Sequence, residues 1–272
     1  MLNINTNILS LTTQTNLTGS QSALSQAINR LSSGKRINTA ADDAAGLAIA
    51  TSQTAAINAL TQGVANANNG ISMIQTANGA LQSTIDNLQR IRTLAVQSGD
   101  GSLDLSARSN LQSEVTTRLG EIDRVASQTS FNSQSILGGI STVSFQIGAA
   151  ASQTVSVDFG STTWNSSGMS LTGLSVSSQS SAQSAITAID AALKQVNTFQ
   201  ATLGAAQNTF QAAISTTQTQ ATNMSAARAQ ITDADFATET ANLSKAQVLQ
   251  QAGISVLAQA NSLPQQVLKL LG

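Results

Sequence analysis

"INALTQGVANANNGISMIQTANGALQSTIDNLQRIRTLA", residues 57–95, decides what fold this chain can adopt. Leu60, Ala67, Ile74, Leu81, Leu88 and Ala95 stand seven apart. Ile57, Val64, Ile71 and Ile85 form a second stripe in step with the first, with Asn78 as its polar member. Two apolar stripes sustained at a seven-residue period read as one long coiled-coil-like helix. At 1.5 Å per residue, roughly fifty residues span on the order of 75 Å. A single globule has no use for such a rod, so it needs a long partner.

That partner is written late in the chain. Ile189, Val196, Leu203, Phe210, Thr217, Met224 and Ile231 are again seven apart, with Ala192, Phe199, Ala206, Ala213 and Ala227 as companions. Two rods of similar length, far apart in sequence, pair antiparallel. The chain ends repeat the pattern: Leu17, Leu24 and Leu31 near the start, Leu249, Val256, Leu263 and Leu270 near the end, the latter beside Ala246, Gly253, Ala260 and Val267. These ends form a further helix pair, whose last turns the only proline, Pro264, weakens by removing an amide donor. Between the rods, "SGDGS" at 98–102 ends the first, and Leu111, Val115, Ile122 and Val125 mark a shorter helix. Asp86–Arg90, Asp104–Arg108 and Glu114–Arg118 have acid before base at i,i+4, the favourable order on an exposed helix. The period then drops to two: Val143, Phe145 and Ile147, and Val155, Val157 and Phe159, alternate with polar residues and predict a β-hairpin around a loop at 148–154. "GSTTWNSSG", 160–168, reads as a turn-rich surface segment. The expected fold is mainly α: long antiparallel coiled-coil-like helices, a small β-hairpin region, and paired N- and C-terminal segments.

Composition narrows function. The 272 residues carry a net charge of -1, and charged residues are only 9%, against the quarter usual in soluble domains. There is no electrostatic footprint for nucleic acid. With no Cys and no His, a zinc site of those ligands, a disulfide, a thiol nucleophile and a Ser-His-Asp triad are excluded. No run of about eighteen apolar residues is present to span a membrane, and no basic-then-apolar leader opens the chain. "SGKR" at 33–36 fails as a phosphate loop because Asn29 stands where the first Gly belongs and Arg36 where Ser/Thr belongs. "DGSLD" at 100–104 fails as a calcium loop because Leu111 stands where the bidentate Glu belongs. The pairs Asp42–Asp43 and Asp233/Asp235 read as helix-start acids before they read as catalytic carboxylates. No enzyme, cofactor or metal is expected.

Residues 1–29, 44–85 and 246–268 carry no charge at all. Their helices present Ser, Thr, Gln, Asn and Ala where Lys and Glu would normally meet water. Such faces can be desolvated without stranding a charge. These stretches, two of them at the ends, point to burial against other copies, and head-to-tail packing that does not close generates a helical filament. The same polar, aromatic-free composition predicts ends that order only on assembly.

Several segments resemble bacterial flagellin: "INTN" at 4–7, "LSSGKRINTAADDAAGLAIA" at 31–50, "NANNGISMIQTANGAL" at 66–81, "LQRIRTLAVQS" at 88–98, "EIDRVASQTSFN" at 121–132 and "ITDADFATETANLSKAQVLQQAGISVLAQANSLPQQVLKLL" at 231–271. The resemblance covers nearly the whole chain and departs from larger members in the middle, where a short Ser-rich connection at about 160–180 replaces their outer domains. It implies an inner terminal helix pair from 1–43 and 232–272, the filament core, and an outer rod from 44–231 with its hairpin near 142–160 and no large outer variable domains. It also implies that 34–46 is the extended joint between these parts: Gly34 stops one helix, Lys35 and Arg36 follow, Asp42 and Asp43 open the next, and Asp233 and Asp235 hold the returning chain.

The function so implied is a secreted, extracellular subunit that polymerises with itself into the flagellar filament for motility. Its implied partners are an export chaperone, cap proteins and hook–filament junction proteins, with no nucleic acid and no membrane. A hook–filament junction protein and a surface polysaccharide-binding or adhesion homologue are the alternatives. The first is disfavoured by the rod segments quoted, the second because Trp164 and a few Phe are the only aromatic platforms. Some members of the family are detected by a vertebrate innate immune receptor. The matching residues here are Gln89, Arg90, Leu94 and Gln97, with Glu114 on the following helix, and Arg90, Leu94 and Gln97 follow i, i+4, i+7 spacing.

Overall fold

The computed structural model describes the backbone of residues 6–160 and 162–271, and the side chains among them as far as Leu263. Five helices, α1 (Ile8–Ser33), α2 (Ala44–Ser98), α3 (Leu105–Gln128), α4 (Gln179–Thr232) and α5 (Phe236–Leu271), account for most of it. Four short strands, β1 (Ser130–Phe131), β2 (Gln134–Ser135), β3 (Thr142–Gln146) and β4 (Thr154–Asp158), form two antiparallel hairpins between α3 and α4. The mainly α fold with a small hairpin region is the one expected from the heptads.

The Ser- and Thr-rich composition leaves its mark on α1. Its hydroxyls turn back on the helix: Thr12 donates to the carbonyl of Ile8 at 2.6 Å, Thr13 to Leu9 at 2.7 Å and Thr18 to Gln14 at 3.0 Å. A hydroxyl so satisfied needs no water. Asn7 accepts from the Ser10 amide at 3.1 Å to cap the start, and Gly34, at φ 68°, ends the helix in the left-handed region.

The chain divides into two compact units, Met1–Ala55 with Asn223–Gly272, and Ala56–Thr222. In the second, α2 and α4 run antiparallel: Gly70 packs against Phe210, and Arg92 pairs with Asp190 at 2.7 Å. The heptad residues Leu60, Ala67, Ile74, Leu81, Leu88, Ile189, Val196, Leu203 and Phe210 are buried. Glycine at 63 and 70 is a matter of space. A Cβ on Gly63 would lie 1.8 Å from the Ile147 carbonyl oxygen, and one on Gly70 2.7 Å from the Phe210 ring. The hairpin β3–β4 docks there, its register set by Val143 opposite Val157 and Phe145 opposite Val155. The Asn66 amide donates to the Gln146 carbonyl at 2.9 Å. Phe145 meets Phe210 edge to face at 5.4 Å.

Two local expectations are corrected, and one element is added. The described residues of 160–168 include the expected turns, but the segment is anchored inward rather than lying free on the surface. Trp164 is buried and stacks on Phe199 with ring centroids 4.3 Å apart, Met169, Leu171 and Val176 follow it inside, and the Asp123 carboxylate holds the Ser166 amide at 2.7 Å. Next, two of the three i,i+4 ion pairs do not form. Asp86 accepts from Gln82, Arg90 crosses to α3, Asp104 caps α3 through the Ala107 amide, and buried Arg108 donates to the main-chain carbonyls of Ser98, Asp100 and Leu103. Glu114–Arg118 does form, at 3.8 Å. Last, the small hairpin β1–β2 was unforeseen; Asn132 and Ser133, at φ 48° and 65°, make its two-residue turn without a glycine.

In the first unit, α1 and α5 pair antiparallel. Asn7 donates to the Ala260 carbonyl at 2.8 Å near one end, Leu17 lies over Gly253, and Arg30 meets Glu239 at 3.1 Å near the other. The small residues Ala27, Ala246 and Ala260 are buried between the helices. The helix α5 continues past Pro264 to Leu271. The side chains of Pro264 and Leu270 lie outside the described residues, as do Ile4 and Asn5 of the opening motif.

Candidate functional site

The joint is built from backbone. After Gly34, Lys35 bridges to Asp233 in antiparallel fashion. The Arg36 amide donates to the Thr232 carbonyl at 2.7 Å and the Ala234 amide to the Gly34 carbonyl at 3.0 Å. The Arg36 guanidinium donates to the Ile231 carbonyl, at 2.5 Å. Among the described residues neither Lys35 nor Arg36 forms an ion pair with an acid of the joint. Asp42, Asp43 and Asp235 serve the backbone instead. Asp42 accepts from the amides of Asn38 and Thr39 and from the Thr39 hydroxyl, with the Thr39 amide holding its carboxyl below the usual carboxylate range before the other contacts add. Asp43 caps α2 through the Gly46 amide at 2.9 Å. Asp235 takes the Thr238 hydroxyl at 2.7 Å, the main cause of its lowered carboxyl, and caps α5 through the Ala237 amide at 3.0 Å, which lowers it further. The Asp233 carboxylate takes the Thr232 hydroxyl at 3.0 Å. Buried Ile37 fills the turn against Gly46, where a Cβ would lie 2.7 Å from it.

The two units differ in what they leave to water. Of thirteen large hydrophobic residues exposed among the described residues, eleven belong to the first unit and two, Val96 and Leu105, to the second. The terminal heptads explain the difference. On α5, the small stripe Ala246, Gly253 and Ala260 turns toward α1. The large stripe Leu249, Val256 and Leu263 turns outward, 48%, 48% and 39% exposed, beside Val248 and Ile254. On α1, Leu17, Leu24 and Leu31 are half-buried, while Ile8, Leu9, Leu11 and Ile28 stand open. No charged side chain interrupts these faces from residue 246 to 268 or from 1 to 29. Apolar surface gathered on one unit in this way marks an interaction face.

The candidate receptor face is partly assembled. Arg90 forms a two-pronged ion pair with Glu114, at 2.8 and 3.1 Å, on exposed flanks of α2 and α3. The shared hydrogen bond, more than the charge, holds Glu114 below the usual carboxylate range and raises Arg90. Gln89 and Gln97 are exposed on α2. Leu94 is not on this face. It is 1% exposed, turned into the core with Leu88, Ile91 and Ala95, because an i+4 step from Arg90 lands on the edge of the heptad stripe. The exposed apolar residue on this stretch is Val96.

No other chemistry collects. Among the described residues no group of acids could hold a metal ion, and no helix is long and apolar enough to cross a membrane. The hollow lined by Asp158, Lys194, Gln195 and Thr198 does not present an open aromatic platform, since Trp164 and Phe199 bury each other's faces.

Against known proteins, residues 4–142 match the bacterial flagellin N-terminal helical region and residues 186–271 the bacterial flagellin C-terminal helical region. A flagellin of Xenorhabdus nematophila is 42% identical over 98% of both chains. A flagellar filament 30.7 kDa core protein of Treponema maltophilum is 40% identical over 90% of both. A flagellin of Salmonella muenchen is 55% identical over 57% of this chain, which corresponds to only 31% of that longer protein. The crystal structure of Bacillus cereus flagellin shares 26% identity at a TM-score of 0.51, over 60% of this chain and 94% of that one.

Proposed function

Since the chain belongs to the bacterial flagellin family and is a structural subunit of the extracellular flagellar filament, we propose a division of labour between its two units. Residues 1–43 and 232–272, within the first unit, build the filament core, and residues 44–231 form the rod. The observation carrying this reading is the outward apolar stripe Leu249, Val256 and Leu263, continued by Leu270 in sequence, together with half-buried Leu17, Leu24 and Leu31. The occupant of that face is another copy of the chain. Purified protein seeded with filament fragments tests it: elongating helical filaments under the electron microscope support the reading, and a persistent monomer sinks it.

Before assembly the same stripe must be kept from water. An export chaperone covering α5 meets that need, and cap and hook–filament junction proteins meet it at the two ends of a growing polymer. We assign recognition by the vertebrate flagellin-sensing receptor to Gln89, Arg90, Gln97 and Glu114, and withdraw Leu94 as a direct contact. Arg90→Ala is expected to weaken activation of reporter cells by monomer, by about 1–3 kcal/mol if Arg90 is a hot spot, with the helix content unchanged. Leu94→Ala is expected to act through loss of stability. Equal potency of Arg90→Ala and parent would remove this face.

A further inference from the structure

We propose that the ion pair between Arg30 and Glu239 sets the register in which α1 and α5 pair, an inference that rests on the reading of this helix pair as the filament core.

The apolar interface between these helices repeats itself. Leu17, Leu24 and Leu31 are seven apart on α1; Ala246, Gly253 and Ala260 are seven apart on α5. In the observed register Leu17 lies over Gly253. A slide of seven residues in one direction puts Leu24 over Gly253 and Leu17 over Ala260, again large over small. The Asn7 contact does not resist such a slide, because it is made to a main-chain carbonyl, and every turn of α5 offers another. Register is weakly specified wherever an interface is self-similar, and a buried polar pair is the best-attested device for fixing it.

Arg30 and Glu239 are not repeated. Arg30 is the first charged residue in the chain, and Glu239 is 6% exposed, held by Arg30 at 3.1 Å and by the Asn242 side-chain Nδ2 at 2.7 Å. A seven-residue slide in that direction brings Arg30 level with Ala246 and leaves Glu239 beyond the end of α1. The opposite slide carries Arg30 past the start of α5. Either way a buried carboxylate loses its cation. The pair is also imperfect, since the Arg30 Nε is buried without a partner. A group kept at that cost suits a specificity device better than a source of stability. The backbone bonds of the joint lie just beyond the pair, and the competing idea is that they hold the register alone.

The chain has no cysteine, so cysteine pairs report register without background. A Cβ on Gly253 lies 3.9 Å from that of Leu17, within the roughly 3.5–4.5 Å of a disulfide. Leu17→Cys with Gly253→Cys reads the observed register, and Leu24→Cys with Gly253→Cys reads the slid one. Full-length protein is seeded, oxidised, and scored for the intramolecular bond in pellet and supernatant. With Arg30 and Glu239 intact, the first pair should close and the second should not. Arg30→Ala or Glu239→Ala should reduce closure of the first by about tenfold, less than breaking a fully buried pair would because the Arg30 side chain is 26% exposed, and raise closure of the second. Exchanging the charges, Arg30→Glu with Glu239→Arg, should restore the original pattern. An unchanged pattern in the single variants assigns the register to the joint and overturns the proposal; so does a charge exchange that fails to rescue. Failure of the intact cysteine variants and parent to polymerise would instead count against the filament reading.

Discussion

Glycines and buried charges are the residues on which this structure turns, and their roles differ in ways the sequence does not announce. Gly63 and Gly70 are required by close approach, of a carbonyl and of an aromatic ring. Gly79, also inside α2, has open space around it. Gly79→Ala is therefore expected to stabilise the second unit by about 0.5–1 kcal/mol, the helix-propensity difference. Gly63→Ala should destabilise it by displacing the hairpin. Denaturant titration followed by circular dichroism distinguishes them, and a destabilising Gly79→Ala would show a constraint that the open space conceals. Arg108 carries the same lesson for charge. Spacing paired it with Asp104 on a helix surface, whereas it closes the α2–α3 turn from inside by satisfying carbonyls at the end of α2. Leu94 follows a related rule: i,i+4 spacing puts residues near one another, but heptad phase decides which of them face water.

At the scale of elements, the long helices were legible because their signal is redundant. Six residues in phase over 60–95 fix α2, and the loss of any one would not hide it. The hairpin β3–β4 was legible from its alternation. The segment from 159 to 176 was not, because it carries no period; its order comes from single long-range contacts, Trp164 on Phe199 and Asp123 on Ser166. Trp164→Ala is expected to cost about 3–5 kcal/mol, as other large-to-small changes of buried aromatics do. Thermal unfolding measures this, and a loss below about 1 kcal/mol would return the segment to the surface role that its composition suggested. The outward turn of Leu249, Val256 and Leu263 was half legible. Two stripes were evident, small and large, but which one faced α1 depended on helix proximity, and small residues won it by letting the helices approach.

For the whole molecule, the account rests on an asymmetry between units. The second buries its heptads within itself; among the described residues the first exposes eleven large hydrophobics, on helices whose stretches 1–29 and 246–268 carry no charge. A chain that ended its business as a monomer would have little reason to keep that surface. The central claim is that this surface becomes dry in the filament. Gln259 lies on α5, exposed, inside the charge-free stretch 246–268. A carboxylate there is harmless in water and strongly unfavourable in a dry interface, by several kcal/mol at each subunit. The direct measurement is the pelleted fraction after seeding for Gln259→Glu against parent, with circular dichroism confirming equal helix content. The predicted result is little or no polymer from a normally folded variant. Equal polymer from variant and parent would show that the face stays wet and would contradict the account.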